Sequence, residues 1–113
     1  MTEQAKKHDV FQAVADPTRR QVLKLLSEKD LSIVEIADQF TISRNAIVKH
    51  LQILSDAKLI EGKKVGRSKL YHIRPEPLQE LHEWISYYEH FWSNKLALLK
   101  YKVENNNEQE KDR

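Results

Sequence analysis

Residues 43–74 read SRNAIVKHLQILSDAKLIEGKKVGRSKLYHIR: a helix, a tight turn and a basic β-hairpin, in that order. Ile47, Leu51 and Leu54 recur at i, i+4 and i+7, which places them on one face of a helix. Ser43 stands just ahead of that helix, where an N-cap is needed. After Leu59 the period changes. Residues 60–65 and 69–73 are two short β-rich runs, joined by Gly66-Arg67-Ser68 as a hairpin loop. The stretch carries eight Lys/Arg (Arg44, Lys49, Lys58, Lys63, Lys64, Arg67, Lys69, Arg74) against two acids (Asp56, Glu61), a net of +6, while the whole chain carries only +2. Positive charge is therefore gathered on one helix–hairpin unit, as expected of a surface that meets a nucleic-acid backbone.

Upstream, Ser32 and Glu35 form a capping-box pattern. It opens a short helix with Ile33, Ile36 and Ala37 inward, ending near Phe40, and Thr41-Ile42 makes the turn into the next helix. Two short helices with a tight connection, the second polar at its start, describe a helix-turn-helix. In that geometry the first turn of the second helix meets base edges in the major groove, and here it offers Ser43, Arg44 and Asn45, followed by Val48 and Lys49. Arg can bind guanine bidentately and Asn adenine, each good pair discriminating by about 1–3 kcal/mol. The hairpin is the expected wing, with Lys63, Lys64, Arg67, Ser68 and Lys69 beside phosphates or the minor groove.

Two more helices precede this unit. The first is expected over residues 4–14, with Val10, Phe11 and Val14 on one face. Asp16 then suits an N-cap and Pro17 the first helical position of a helix running to about Leu26. Arg19 and Arg20 lie in its first turn, where the helix dipole disfavours cations; they either pair with Asp16 or reach a phosphate. His50, beside the core stripe of the later helix, is either structural or phosphate-facing.

Downstream, the helical period returns at 77–103. About 27 residues make roughly 40 Å of helix, more than the roughly 30 Å width of a small domain. Leu78, Leu81, Ile85, Tyr88, Trp92, Leu96, Leu99 and Val103 form one stripe, and Trp84, Phe91, Leu98 and Tyr101 widen it to a second face. An apolar surface wider than one contact requires points to two partners. The expectation is a dimer through the first and last helices, with Val10, Leu81, Trp84, Ile85, Tyr88, Phe91, Trp92, Leu96 and Leu99 at the interface. Such aromatics also suit the lining of a small-molecule pocket. The end, residues 104–113, has no apolar periodicity and is expected to be a disordered tail. The fold class is thus mainly α with a small β-hairpin, a single winged helix-turn-helix domain over residues 1–103 that includes a dimerisation helix.

Composition narrows the rest. The chain has 113 residues, 40% apolar and 32% charged, and no cysteine. Disulfides, thiolate metal sites and cysteine nucleophiles are excluded. No apolar run approaches the roughly 20 residues that span a bilayer, and the N-terminus MTEQAKKHD is polar. A cytoplasmic protein without a membrane partner is expected. His82 and His90 stand two helical turns apart, too far for one chain to chelate with both, so no metal site and no cofactor are expected. There is neither a nucleophile–base spacing nor a phosphate-cradling glycine loop, so an enzyme is not expected.

Three segments together resemble the ArsR (arsenical-resistance-repressor) family of winged-helix regulators. Phe11-Gln-Ala-Val-Ala-Asp-Pro-Thr-Arg-Arg is similar to its opening segment. Ser43-Arg-Asn-Ala-Ile-Val-Lys-His-Leu-Gln-Ile-Leu is similar to its recognition helix. Asp56-Ala-Lys-Leu-Ile, with Gly66, Arg67 and Tyr71, is similar to the run into its wing. The resemblance implies a homodimer that binds an inverted-repeat operator in double-stranded DNA and represses transcription, often of its own operon. The chain departs from the family at Val48, where Ser is common, and an apolar side chain there suits a thymine methyl. It also departs from the metal sensors. Asp30-Leu-Ser-Ile-Val-Glu-Ile stands where the arsenic type carries cysteines, and Glu80, His82, Glu83, Glu89 and His90 do not match the ligand spacing of the last helix. The branch it resembles has an aromatic final helix and no recognised metal ligands, and the sequence does not identify a small-molecule effector. Two alternatives stay open at this level: a winged-helix protein-interaction module without operator readout, and a metal-responsive repressor.

Overall fold

A computed structural model describes residues 8–111. The elements in chain order are α1 (Val10–Ala13), α2 (Pro17–Glu28), β1 (Leu31–Ser32), α3 (Ile33–Ala37), α4 (Arg44–Asp56), β2 (Ile60–Val65), β3 (Ser68–Ile73) and α5 (Leu78–Lys111).

The helix starts follow side-chain capping. Asp16 Oδ2 accepts from the Arg19 backbone N–H at 3.1 Å, and Pro17 occupies the first turn, where a missing N–H costs nothing. Ser32 and Glu35 close the capping box in both directions, at 3.2 and 2.9 Å. Ser43 Oγ accepts from the Ala46 N–H at 3.1 Å and opens α4. The first helix differs from expectation. Its described part begins at Val10, because Asp9 and Gln12 form a capping box of their own (2.8 and 2.9 Å) that turns the chain out of the helix at Asp9; Gln4–Lys7 lie outside the described residues. Helix α3 is also shorter than expected. It ends at Ala37; the Asp38 N–H still reaches the Val34 carbonyl at 3.0 Å, but those of Gln39 and Phe40 bond to carbonyls three residues back at 3.0 and 3.1 Å, the tightened turn common at helix ends.

Helix α4 stops through a Schellman motif: the Leu59 N–H reaches the Leu54 carbonyl at 3.0 Å and the Lys58 N–H the Ser55 carbonyl at 2.9 Å. The motif needs a residue in the left-handed region. Lys58 takes that place, at φ 63°.

The sheet has three strands rather than the expected two, in the order β1-β3-β2. Leu31 pairs with Tyr71 and Ser32 with Leu70, both antiparallel. A two-residue strand is too short to show alternation, so the sequence carried no signal for it. β2 and β3 form the wing hairpin in the register Ile60↔Ile73 to Val65↔Ser68. Its turn is the two residues Gly66-Arg67, with Gly66 at φ +62°, a place for glycine at the first turn position of a hairpin.

Val22, Leu26, Ile36, Ile47, Leu51, Leu54 and Leu59 are fully or almost fully buried and join α2, α3 and α4 in one core. Truncating one of these large side chains to alanine costs about 2–5 kcal/mol. Leu78 and Leu81 pack on the same core. After Leu81 the chain divides into a second compact unit. That unit is the rest of α5. The helix does not end at Val103 but runs through the expected tail to Lys111. The stretch contains no Gly or Pro to stop it, and each further residue in a formed helix adds one hydrogen bond. At 34 residues, α5 is about 51 Å long.

Candidate nucleic-acid interface

Burial of Ile47, Leu51 and Leu54 decides which side of α4 is offered to a ligand. Asn45, Lys49 and Gln52, at i, i+4 and i+7, lie on the side away from those three, with Arg44 and Val48 flanking them. Arg44, Asn45, Lys49 and Gln52 are exposed and Val48 is half-buried. Four of the five expected reading residues thus stand on or beside one accessible strip. Ser43 differs, because its Oγ is already engaged as the cap. Gln52 was not among the expected residues, although the helical period alone carries it onto the strip from Asn45.

On the wing, Lys63, Lys64, Arg67, Ser68 and Lys69 are all exposed. The register sets Lys64 directly opposite Lys69, a like-charge pair that weakens a sheet when nothing neutralises it. The stem of Lys69 crosses Gly62, so that a Cβ there would collide with Lys69 Cε. Its ammonium sits 5.5 Å from the centre of the Tyr71 ring. Arg74 does not add to the cationic tip. Its Nη1 donates to Glu61 Oε1 at 2.9 Å and its Nε lies 3.4 Å from Glu76 Oε1. His72 Nε2 is 3.3 Å from the same Glu61 oxygen. Hydrogen bonding and charge from Arg74 hold the Glu61 carboxyl below its ordinary value, and Glu61 and Glu76 raise Arg74 in turn. Charge is therefore balanced at the wing base and left positive from Lys63 to Lys69.

The two arginines of α2 resolve as structural groups. Arg19 Nε donates to the Ala13 carbonyl at 2.8 Å and Nη2 to the Gln12 carbonyl at 3.1 Å, closing the end of α1, while Nη1 lies 3.1 Å from His50 Nδ1. Arg20 Nη1 donates to the Val14 carbonyl at 2.8 Å. Asp16 Oδ2 approaches the same His50 nitrogen at 3.9 Å. Burial pushes the Asp16 carboxyl up, but the Arg19 backbone N–H and the nearby His50 and Arg19 outweigh it and hold it below the usual range. His50 is accordingly a structural histidine that faces the α1–α2 corner.

Of the expected dimer residues, Val10 does not fit. It is 3% exposed and packs with Ala13 in its own chain's core, because α1 turns that face inward. Leu81 is half-buried on the same core. Ile85, Tyr88, Phe91, Trp92, Leu96 and Leu99, with Trp84, lie in the second unit, and all are exposed. Tyr87 reaches 71% and Trp92 62%. Tyr88 meets the Trp84 ring edge-on at 5.5 Å and the Tyr87 ring at 4.9 Å. The hollow among Trp84, Ile85, Tyr88 and Trp92 encloses about 240 Å³, below the range of about 300–1,000 Å³ usual for ligand sites. Among the described residues no three His, Asp or Glu side chains form a group able to hold a metal, and no helix is long and apolar enough to cross a membrane.

Residues 14–63, which run from the end of α1 into the wing, match the helix-turn-helix domain family. The chain is 37% identical over 78 residues to the transcriptional repressor SdpR of Bacillus subtilis, covering 69% of this chain and 87% of that one. An ArsR-like transcriptional regulator from Rhodococcus sp. RHA1 superposes with a TM-score of 0.67 at 33% identity, over 85% of this chain and 88% of that one. The chain belongs to the ArsR family of transcriptional regulators. Another solved relative of this ArsR-family chain is the homodimeric winged helix-turn-helix DNA-binding domain of a possible ArsR-family regulator from Mycobacterium bovis. It has a TM-score of 0.58 and is 25% identical over 72% of this chain and 75% of that one. In ArsR-family terms, α3 and α4 form the helix-turn-helix and β2–β3 the wing.

Proposed function

We propose that this ArsR-family regulator is a homodimeric repressor that binds an inverted-repeat operator. The observation that carries the reading is the continuity of the accessible strip Arg44, Asn45, Val48, Lys49 on α4 with an unbalanced cationic wing tip on the same small unit. Arg44 and Asn45 read base edges, Val48 meets a thymine methyl, and Lys49 with Ser43 lies at the groove margin. Lys63, Lys64, Arg67, Ser68 and Lys69 grip phosphates, and neutralising them removes the Lys64–Lys69 repulsion.

The dimer rests on the exposed aromatic stripe from Trp84 to Leu99. An apolar face of that extent calls for a cover, and the Mycobacterium bovis relative is homodimeric. Two subunits would set two recognition helices about one DNA turn, roughly 34 Å, apart. The protein works by recognition rather than catalysis, in the cytoplasm with its DNA, and without a metal trigger.

Selecting bound duplexes from a random pool with the full chain tests the reading. A palindromic consensus with half-sites one turn apart is expected. With about 6–10 phosphate contacts, affinity for it falls about 10³–10⁵-fold between 50 and 200 mM salt. Recovery of no consensus would overturn operator reading and favour a winged-helix protein-interaction module.

A further inference from the structure

The guanidinium of Arg19 is shared between two elements with different tasks. Its Nε and Nη2 hold the last carbonyls of α1, at Ala13 and Gln12, and its Nη1 meets His50 on α4. His50 follows Lys49 directly in the chain, so the bond grips the recognition helix in mid-length, on the flank that faces the α1–α2 corner. Core packing by Ile47, Leu51 and Leu54 holds α4 down, but apolar burial is non-directional and adds no bond of fixed direction about the helix axis. Base reading does not: a working constellation must be kept within about 0.5 Å and 10–20°. A planar group with three donors in fixed directions supplies the missing constraint, which a lysine in the same place cannot do. The donors are also turned inward, onto two carbonyls and a ring nitrogen, which leaves Nε, Nη1 and Nη2 each committed.

We infer that Arg19 is a positioning residue for operator reading: by tying the end of α1 to His50 it sets the rotation of α4 about its own axis. This rests on the reading of α4 as the recognition helix. The consequence is a split between two affinities. Losing the tie misaims Arg44 and Asn45 and lowers operator affinity, while contacts to phosphate, made by the wing, remain.

The test measures binding of the full chain to its selected operator and to a scrambled duplex, across a salt series, well below each variant's melting temperature. Arg19→Lys and His50→Leu are each expected to lower operator affinity about tenfold, with scrambled-duplex affinity and salt slope unchanged. The double variant loses about tenfold rather than a hundredfold, since both changes remove the same Arg19–His50 bond. His50→Gln, whose amide oxygen can accept the same N–H, keeps most of the affinity. If Arg19→Lys does not fold, His50→Leu carries the test, because it leaves both carbonyl bonds of Arg19 in place.

Variants that discriminate as well as the unaltered chain overturn the inference. So does an equal loss on both duplexes with a slope reduced by about 1, the mark of a direct phosphate contact. An unaltered chain with no operator preference overturns instead the recognition-helix reading beneath it, and it shows that before any variant is compared.

Discussion

Arg19 Nη1 lies 3.1 Å from His50 Nδ1, joining the first turn of α2 to the recognition helix across 31 positions of sequence. An arginine at a helix N-terminus is unfavourable for the local dipole. It is held there because its side chain leaves that helix and satisfies the end of another. Asp16, at the same corner, supplies both the cap of α2 and a carboxylate 3.9 Å from the same histidine nitrogen. One corner thus carries the start of α2, the end of α1 and the middle of α4.

The corner makes stability sensitive to acid through Asp16. Its folded value lies below the ordinary 3.8, so its contribution is complete above 3.8 and is lost as pH falls through the lower folded value. Asp16→Asn keeps a capping oxygen and removes the charge. The variant should melt below the unaltered chain at pH 6, and the gap should narrow from pH 3.8 downward and close once pH is below the lower folded value. A gap that persists in acid would show that the charge is not what Asp16 contributes.

Lys58 occupies a left-handed position at φ 63° that favours glycine. Lys58→Gly should stabilise the fold by about 0.5–1 kcal/mol, the relief of Cβ crowding less the greater freedom of the unfolded glycine. Urea unfolding reads the change, and an unchanged or lower midpoint would count against it.

Arg44→Ala should relax operator preference at one base pair per half-site, at a cost of about 1–3 kcal/mol. Repeating the random-pool selection with the variant locates that pair. A uniform loss over all sequences would make Arg44 a phosphate ligand instead.

Lys64→Ala should act in two directions. It weakens binding to operator and scrambled duplex alike and lowers the salt slope by about 1. It also removes the like-charge pair with Lys69, so the free protein should melt slightly higher. Reduced thermal stability in the variant would contradict that account of the wing.

Trp92→Glu places a charge at the centre of the exposed stripe of α5, where Trp92 is 62% accessible. Sedimentation should then report a monomer. Operator affinity should fall about 10²-fold or more, as two linked half-site contacts become one. A variant that stays dimeric would move the interface elsewhere.

The helix-turn-helix, the wing and their charge were legible in the chain alone, because each rests on local rules. Caps at Asp16, Ser32 and Ser43, the i, i+4, i+7 spacing of Ile47, Leu51 and Leu54, and glycine in the hairpin turn act within a few residues of where they are read. What needed the tertiary structure was every feature decided by a distant partner. β1 is two residues long and exists only because Tyr71 and Leu70 of β3 offer it an edge. Val10 faces inward rather than toward a partner because the core claims it. Arg74 leaves the cationic surface because Glu61, thirteen positions away, lies beside it. Arg19 and His50 each read ambiguously alone, as structural groups or phosphate ligands. Only folding brings them together, since a hydrogen bond depends on direction as well as distance, and no periodicity in the chain encodes that direction.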